Sequence, residues 1–294
     1  MRLLVTGAAG QLARKLGAAS NTGVSVVATG RPALDITVPG TIAAAIAVHR
    51  PDIVVNAAAY TAVDKAESEP DQAFAVNRDG AGNVAAAACA ADLPVIHIST
   101  DYVFAGDKQG AYVEDDETRP MSVYGKSKLA GEAAVAAVNP RHVILRTAWV
   151  YSDTGGNFVR TMLRLAGERD EIAVVADQFG NPTSAADLVE GVLRVARRLV
   201  SGDDFGDHGV FHLAGTGRTN WADFARHVFA VSGAIGGPSA KVRDIATADY
   251  PTAAKRPLNS CLSTDGFAGQ FGWRPPEWRA SAEAVVKSLV VAAR

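Results

Sequence analysis

Tyr124 and Lys128 are the two side chains of this sequence whose types and spacing best suit proton transfer. A separation of four residues places both side chains on one face of a helix. A lysine ammonium held nearby favours the phenolate and lowers the pKa of tyrosine, which is about 10 in a free side chain. The pair can therefore deliver a proton to a carbinol oxygen or take one from it. Because Tyr-x-x-x-Lys also occurs by chance, the surrounding sequence has to support a catalytic role.

Hydroxyl groups are predicted close to this pair. Ser99, Thr100 and Tyr102 follow the apolar segment Pro94–Ile98, so we expect them where a buried strand ends. In open α/β sheets, ligands bind at the carboxyl ends of the strands. The sequence therefore predicts that these hydroxyls lie at the ligand-binding edge of a sheet.

A glycine turn near the N-terminus predicts a dinucleotide site. Gly7 allows a tight turn, and Gly10 lets the backbone approach a pyrophosphate. The helix that follows, starting at Gln11 and Leu12, presents unpaired N–H groups to the same phosphates. Ala13 stands where a third glycine is often found, and a small residue suffices there for close packing of helix and strand.

The second and third strands supply the rest of the predicted cofactor site. The second strand ends at Arg31 with no carboxylate to bind a ribose 2′-hydroxyl, and a guanidinium matches a 2′-phosphate. We therefore expect NADPH, with NADH as the alternative. Asp35, with Ile36 beside it, is expected near the adenine end. The third strand is followed by small side chains that suit a cofactor lying across the strand ends, namely Ala57, Ala58 and Ala59.

Short apolar segments alternate with longer helix-like segments through the first half of the chain. Continuous β-branched runs are typical of strands buried on both faces, and strand–helix alternation predicts a Rossmann-like, doubly wound parallel sheet. The predicted strands are Leu3–Val5, Val24–Ala28, Ile53–Val55, Pro94–Ile98 and His142–Arg146. The predicted helices are Gln11–Ala19, Thr41–His49, Pro70–Ala91 and Val123–Ala137.

The pattern changes after Trp149. Residues 1–150 are interpreted as the nucleotide-binding domain, joined again by about 184–215, and 151–183 with 216–294 as a smaller α/β substrate-binding lobe. The end of the chain is rich in proline and tryptophan, so we expect it to be irregular. The further predicted elements are helices at Asn157–Ala166 and Ala185–Leu199, strands at Ile172–Val175 and Val210–Leu213, and a turn-rich loop at Gly202–Gly209.

Composition excludes several classes of protein. The 294 residues carry 29 Lys+Arg against 31 Asp+Glu, which argues against non-specific nucleic-acid binding. No apolar run reaches the roughly 18 residues of a membrane span, and no signal-peptide pattern opens the chain, so a cytoplasmic protein is expected. Two cysteines cannot form a disulfide framework, and Cys89 is expected in the core. The histidines show no metal-binding spacing, so no metal site is predicted.

The sequence resembles the extended short-chain dehydrogenases/reductases and, within them, the dTDP-4-dehydrorhamnose reductase family. The glycine turn and Tyr-x-x-x-Lys are typical of the whole superfamily, whereas other stretches are far more specific to the sugar-nucleotide reductases. The more specific stretches are Thr61–Glu67, Ser99–Phe104 and Gln178–Thr183, and further matches are Asn56–Tyr60, Arg146–Tyr151 and Arg256–Ser260.

The resemblance implies reduction of the 4-keto group of a dTDP-sugar, dTDP-4-dehydro-β-L-rhamnose, by NAD(P)H, the last step of dTDP-rhamnose biosynthesis. It implies that Tyr124 protonates the carbonyl oxygen, that Lys128 lowers the Tyr124 pKa and holds the nicotinamide ribose, and that Thr100 hydrogen-bonds the substrate oxygen. Ser99 is expected close by. The residues that it implies for the substrate are Val63, Tyr102 and Trp149 for the sugar and Arg256, with Lys255 beside it, for the diphosphate.

The chain departs from the family at one position, and two other interpretations stay open. Some members form a homodimer bridged by magnesium on glutamates, one of which corresponds to Lys15 here. A cation cannot ligate a metal, so a monomer or weak homodimer without that bridge is expected. The alternatives are a non-catalytic, dinucleotide-binding regulatory subunit and another sugar-nucleotide reductase or 4-epimerase.

Overall fold

A computed structural model describes residues 1–19, 23–201 and 209–294 of the chain. The predicted loop at 202–209 lies outside the described residues except for Gly209. The strands are β1 (Arg2–Thr6), β2 (Ser25–Thr29), β3 (Ile53–Asn56), β4 (Val95–Thr100), β5 (His142–Thr147), β6 (Val150–Tyr151), β7 (Glu171–Val175), β8 (Phe179–Gly180), β9 (Thr183–Ser184), β10 (Gly209–His212), β11 (Thr219–Asn220) and β12 (Lys241–Ile245).

The α-helices in this part of the chain lie mainly between the strands of the first half and around the later ones. They are α1 (Gln11–Ala18), α2 (Pro39–His49), α3 (Val63–Ala66), α4 (Pro70–Phe74), α5 (Ala81–Ala90), α6 (Val123–Val138), α7 (Phe158–Ala166), α8 (Ala185–Ser201), α9 (Trp221–Ala234), α10 (Asp265–Phe271) and α11 (Trp278–Ala292). No helix among the described residues combines the length and apolar character needed to cross a bilayer.

A six-stranded parallel sheet, with five strands from the first half of the chain and β10 from the second, confirms the predicted fold class. Its strand order is β10-β5-β4-β3-β1-β2. Leu3 and Val5 point into one core with helices α1 and α8, whereas Leu4 points into the opposite core with α2 and α5. Successive residues of a strand face opposite sides, so both faces of the sheet are covered and its carboxyl edge stays open for ligands.

The helix predicted over Pro70–Ala91 is interrupted by a π-helical segment, Ala75–Gly80, between α4 and α5. A side chain at Gly131 of α6 would collide with the carbonyl of Asn77, so the two helices touch at this point. The Asn77 amide donates to Ser127 Oγ at 2.9 Å. Single π turns often occur where a helix side chain serves a site, and here the wider turn places Asn77 against the helix that carries Tyr124.

The segments interpreted from the sequence as a smaller lobe are more regular than the sequence predicts. Parallel strands β7 and β12 pack with helices α7, α9 and α11 around a separate core that includes the buried Trp278. The prolines that suggested irregular structure lie outside these helices. Pro275 and Pro276 precede α11, where Glu277 caps the helix by accepting from the Arg279 N–H. Prolines just before a helix start are compatible with it.

The expectation that Cys89 lies in the core is wrong. Its side chain is exposed on α5. The Ala-rich helix has buried residues at Val84, Ala85 and Ala88, and Cys89 lies at the exposed border of this buried face. Alanine gives no contrast between helix faces, so the orientation of the thiol could not be deduced from the pattern.

Candidate active site

A cleft of about 500 Å³ opens at the carboxyl edge of the parallel sheet. It collects residues from the glycine turn, from the ends of β3, β4 and β5, and from the start of α6. The predicted site residues that line it are Gly10, Gln11, Leu12, Ala57, Ala59, Val63, Ser99, Thr100, Tyr102, Tyr124, Lys128 and Trp149. The structure thus brings together most of the side chains that the sequence places in one site.

Tyr124 lies in the first turn of α6. Ser122 caps the start of the helix, and its hydroxyl accepts from the Gly125 N–H at 3.1 Å. Gly125 allows close approach to the turn after β4, because any Cβ there would collide with the carbonyl of Tyr102. The rings of Tyr102 and Tyr124 consequently meet edge to face, with centroids 5.6 Å apart.

The phenol of Tyr124 keeps its proton at neutral pH. Burial raises its pKa to about 12, a hydrogen bond with Thr100 acts to lower it, and the carboxylate of Asp101 acts to raise it. The expectation that Lys128 lowers this pKa is not met here. The lysine donates instead to the carbonyl of Ile98 at 2.6 Å, and burial dominates the environment of the phenol. A protonated phenol is the form required of an acid that delivers a proton.

Lys128 is buried, with 2% of its surface exposed. Burial lowers its pKa to about 8, and the nearby Glu132 opposes that change. Glu132 itself forms a buried ion pair with Arg146 of β5, with Oε2 and Nη2 2.7 Å apart. The ammonium of Lys128 therefore lies next to a carboxylate that is already neutralised.

Ser99 and Thr100 have different roles at the end of β4. The hydroxyl of Ser99 donates to Glu132 at 2.5 Å, so it helps to complete the buried ion pair. The hydroxyl of Thr100 donates to Asp101 at 3.0 Å and accepts from the Tyr102 N–H at 3.2 Å. Of the two, Thr100 is the hydroxyl that interacts with the phenol of Tyr124.

Asp101 is a buried acid that the sequence analysis did not single out. It is 3% exposed, and burial raises its pKa to about 6, opposed by hydrogen bonds from Ser260 and Thr100. Its carboxylate lies next to both cleft tyrosines and raises the pKa of each. The sequence could have indicated this residue, because Asp101 directly follows the hydroxyl pair Ser99 and Thr100 at the end of a predicted strand.

The glycine turn forms a cradle of backbone groups. Gly7 has a φ of +77°, and a Cβ there would come within 2.9 Å of the Cα of Ala58. The Gly10 N–H closes the turn on the Gly7 carbonyl at 2.8 Å, and α1 begins at Gln11 with no side chain capping it. Free N–H groups at such a helix start suit phosphate oxygens, so the turn fits the pyrophosphate of a dinucleotide. Leu12 packs into the core below it.

A loop that the sequence analysis missed covers one side of this cradle. Gly155 and Gly156 line the cleft, and the side-chain amide of Asn157 donates to the side-chain oxygen Oε1 of Gln11 at 3.0 Å. The ammonium of Lys15 on α1 pairs with Asp153 at 2.7 Å and ties the loop to the same helix. The sequence could have indicated this loop, because two glycines precede Asn157, a residue type that often caps a helix.

The predicted adenine-end residues lie outside the cleft proper. Arg31 is exposed just after β2. Asp35 accepts hydrogen bonds from the side chain and backbone of Thr37, which lower its pKa. Ile36 is buried and packs against Gly80. These positions follow the strand next to the glycine turn, where an adenosine would extend.

Arg256 reaches the site region from the end of the chain. Its guanidinium forms a double contact with Asp64 of α3, at 3.0 Å and 2.7 Å, and these hydrogen bonds raise the pKa of Arg256. The guanidinium also interacts with Tyr102, which lines the cleft. Lys255 is exposed beside it. Arg256, which the sequence analysis expects to bind the diphosphate, is thus held near the cleft wall by the carboxylate of Asp64.

Trp149 adopts an unusual backbone conformation in the cleft wall, with a φ of +49°. Its indole stacks on that of Trp221, and a side chain at Gly180 would collide with its ring. A bulky residue in the left-handed region is costly and is usually found where its side chain serves a site.

The chain is similar to known dTDP-4-dehydrorhamnose reductases in both sequence and structure. The family profile described as the RmlD substrate binding domain matches residues 1–291. The dTDP-4-dehydrorhamnose reductase of Sinorhizobium fredii is 52% identical over 291 residues, covering 99% of this chain and 98% of that protein. A crystal structure of a dTDP-4-dehydrorhamnose reductase from Clostridium acetobutylicum has a TM-score of 0.91 at 39% identity, covering 98% of this chain and 99% of the other. The Bacillus anthracis enzyme, solved in complex with NADP, has a TM-score of 0.91 at 35% identity, with the same coverage of 98% and 99%.

Proposed function

The chain belongs to the dTDP-4-dehydrorhamnose reductase family, and on this premise we propose that it reduces the 4-keto group of dTDP-4-dehydro-β-L-rhamnose to give dTDP-β-L-rhamnose. The protein is an oxidoreductase, and its cofactor is NADPH. The observation that carries the proposal is the meeting of Thr100, Tyr124 and Lys128 in one cleft beside the phosphate-binding glycine turn.

The proton in this reaction comes from Tyr124. With a pKa of about 12, the phenol is protonated at neutral pH and can donate to the carbonyl oxygen as that oxygen gains negative charge. In the structure the single hydroxyl proton of Thr100 is donated to Asp101, and we assign to it a second hydrogen bond to the same carbonyl oxygen when the substrate is bound.

Cofactor binding is assigned to the glycine turn and its neighbours. Bound NADPH supplies the hydride for the carbonyl carbon. Gly7, Gly10 and the N-terminus of α1 hold the pyrophosphate, and Lys128 holds the nicotinamide ribose. Arg31 binds the 2′-phosphate of the adenosine. The remaining cofactor contacts are assigned to Gln11, Leu12, Asp35, Ile36, Ala57, Ala58 and Ala59.

Substrate binding is assigned to the other wall of the cleft. Val63, Tyr102 and Trp149 contact the sugar, because all three line the cleft near Thr100. Arg256 binds the diphosphate with Asp64 as its counterion. Ser99 supports this wall through Glu132.

A coupled assay tests the proposed function. Freshly made dTDP-4-dehydrorhamnose should cause oxidation of NADPH, followed by the loss of absorbance of the reduced nicotinamide, together with formation of dTDP-rhamnose. A regulatory subunit would bind NADPH without turnover. A 4-epimerase would return the hydride and consume no added cofactor. Either result would reject the reductase assignment.

We also propose that the chain acts as a monomer or weak homodimer without a magnesium bridge. Lys15 occupies the position of a metal-binding glutamate of some relatives, and it pairs with Asp153 of the same chain at 2.7 Å. Analytical ultracentrifugation should give the same mass in the presence and in the absence of a chelator, because no metal is needed for association. A cytoplasmic location, expected from the sequence, remains a prediction.

A further inference from the structure

Four buried polar side chains form a continuous row beneath the cleft. Thr6 Oγ1 lies 2.7 Å from Asn56 Oδ1, and Asn56 Nδ2 lies 3.1 Å from His97 Nδ1. His97 Nε2 lies 3.3 Å from the ammonium of Lys128. Thr6, Asn56 and His97 are direct neighbours across β1, β3 and β4. A row of this kind, crossing three strands, ends on the lysine of the catalytic pair.

Burial makes these contacts consequential. Thr6 and His97 are fully buried, Asn56 is 1% exposed and Lys128 is 2% exposed. A polar group buried without a partner is costly, and a charged group is more so. The ammonium of Lys128 has the carbonyl of Ile98 and the ring of His97 as its partners in the protein. Removal of the ring would therefore leave a buried charge with one hydrogen bond fewer.

We propose that His97 is a positioning residue for Lys128, whose neutral ring accepts a hydrogen bond from the ammonium at Nε2 and is fixed in that state by Asn56. The inference rests on the proposed function, because the position of Lys128 matters to turnover only if this lysine serves the reaction. The row also connects the lysine to the small residues after β3 that are assigned to the cofactor, since the Ala58 N–H donates to Thr6 Oγ1 at 3.1 Å.

The protonation states are consistent with this role. Burial, and then the charge of Lys128, lower the pKa of His97 well below its usual range, so the ring is neutral at physiological pH. When Nε2 accepts from an ammonium, Nδ1 carries the ring proton. The amide of Asn56 then presents its oxygen to Nδ1 and its nitrogen to Thr6, which is the same set of contacts with the amide turned by half a rotation.

The charged and titratable groups around Lys128 come from four elements. Tyr124 and Glu132 lie on α6 itself, and His97 lies on β4. Arg146 on β5 pairs with Glu132, and Asp101 follows β4. The other four groups keep their identity when His97 is replaced. A change in the titration of Lys128 in a His97 variant is therefore a direct readout of the ring.

The experiment compares His97→Leu, His97→Gln and the parent enzyme. Leucine removes the acceptor, so the pH above which kcat falls should move down by about one pH unit, because a hydrogen bond to a charged group is worth roughly that much. Because the pKa of Lys128 is about 8, this change should lower kcat at pH 7.5 about threefold, while KM for the sugar changes less than about twofold. Glutamine carries an acceptor on a side chain of similar length and should restore most of both values.

His212→Gln is the matched control. His212 is also fully buried, and its ring contacts the carbonyl of Tyr112 at 3.2 Å rather than Lys128. The control should keep the parent kcat and the parent pH profile. Thermal melting of each variant verifies that it is folded before its kinetics are compared.

The inference is overturned if folded His97→Leu keeps the parent pH profile, or if His97→Gln behaves no better than His97→Leu. Failure of the proposed function is distinguishable from these results. In that case the parent itself would not oxidise NADPH with the sugar, and NMR titration of the Lys128 ε-methylene would still report the effect of the ring. An unchanged Lys128 titration in His97→Leu would then reject the inference by itself.

Discussion

The indole rings of Trp149 and Trp221 stack with their centroids 3.4 Å apart and their planes inclined by 6°. Both rings line the cleft, although the residues are far apart in the chain. The stack gives the left-handed backbone of Trp149 a partner that holds its side chain in the cleft wall. An apolar platform of this kind suits the carbon face of a deoxysugar.

Trp221→Leu should therefore weaken binding of the sugar more than binding of NADPH. Loss of a stacked aromatic partner is worth about 0.5–1.5 kcal/mol beyond the buried area, so KM for the sugar should rise by about two- to tenfold. Steady-state kinetics with each substrate varied separately measure the effect. Trp273→Phe is the control, because Trp273 packs against Phe267 and Arg194 instead. An unchanged sugar KM in folded Trp221→Leu would contradict the prediction.

Tyr124→Phe should remove most of the turnover and leave the fold intact. Phenylalanine keeps the edge-to-face contact with Tyr102 but has no proton to give. A positioned acid contributes about 10²–10⁴-fold, so kcat should fall by that factor while the Kd for NADPH is retained. Single-turnover kinetics and fluorescence titration measure the two quantities.

Tyr250→Phe is the control for this substitution, since Tyr250 is 61% exposed. It should behave like the parent. If Tyr124→Phe kept a kcat within about threefold of the parent, another group would have to be the acid.

Asp101 should make the stability of the fold depend on pH. Its folded pKa is raised from 3.8 to about 6, so its contribution to stability is fully present below pH 3.8 and is lost as the pH rises through 6. A change of that size corresponds to at most about 3 kcal/mol. Asp101→Asn should therefore raise the free energy of unfolding at pH 7.5 and change it little at pH 4, as measured by urea denaturation.

Asp115→Asn is the control, because Asp115 is exposed on a loop. This variant should have the free energy of unfolding of the parent at both pH values. An Asp101→Asn variant that is less stable than the parent at pH 7.5 would mean that the charged carboxylate is favourable in the fold.

Arg31→Ala should weaken NADPH binding without a matching effect on NADH. A guanidinium–phosphate hydrogen bond is worth about 1.5–3 kcal/mol, so the Kd for NADPH should rise at least about tenfold. The exposed Arg169 in the smaller lobe allows a charge-matched control, Arg169→Ala. Calorimetric titration with both cofactors measures the effect, and equal losses of affinity would remove Arg31 from the phosphate site.

Much of the sheet and of the cofactor turn could be predicted from the sequence because their signals are local. Apolar runs predict the strands of the parallel sheet, and Gly7 and Gly10 predict the turn that follows β1. Because the carboxyl ends of parallel strands lie at one edge of the sheet, Thr100 and Tyr124 are both expected at that edge.

Other features depend on pairs of residues that are distant in the chain. Arg256 meets Asp64 across 192 positions, and Lys15 meets Asp153 across 138. Periodicity carries no information about such contacts. The high pKa of Tyr124 depends on burial, which a spacing of four residues could not reveal; the lysine alone suggested the opposite direction.

Gly125→Ala should destabilise the protein because the start of α6 touches the turn after β4. The new Cβ would collide with the carbonyl of Tyr102, and Pro120 lies 3.0 Å away on another side. Such overpacking costs about 1–3 kcal/mol, and displacement of α6 would also move Tyr124 and lower kcat.

Gly269→Ala in α10 is the matched control, since nothing lies within 4 Å of its added Cβ. Alanine favours a helix by up to about 1 kcal/mol over glycine, so that control should be as stable as the parent or more so. Urea denaturation of both variants decides the matter, and equal stabilities would mean that the contact between α6 and the Tyr102 turn is not tight.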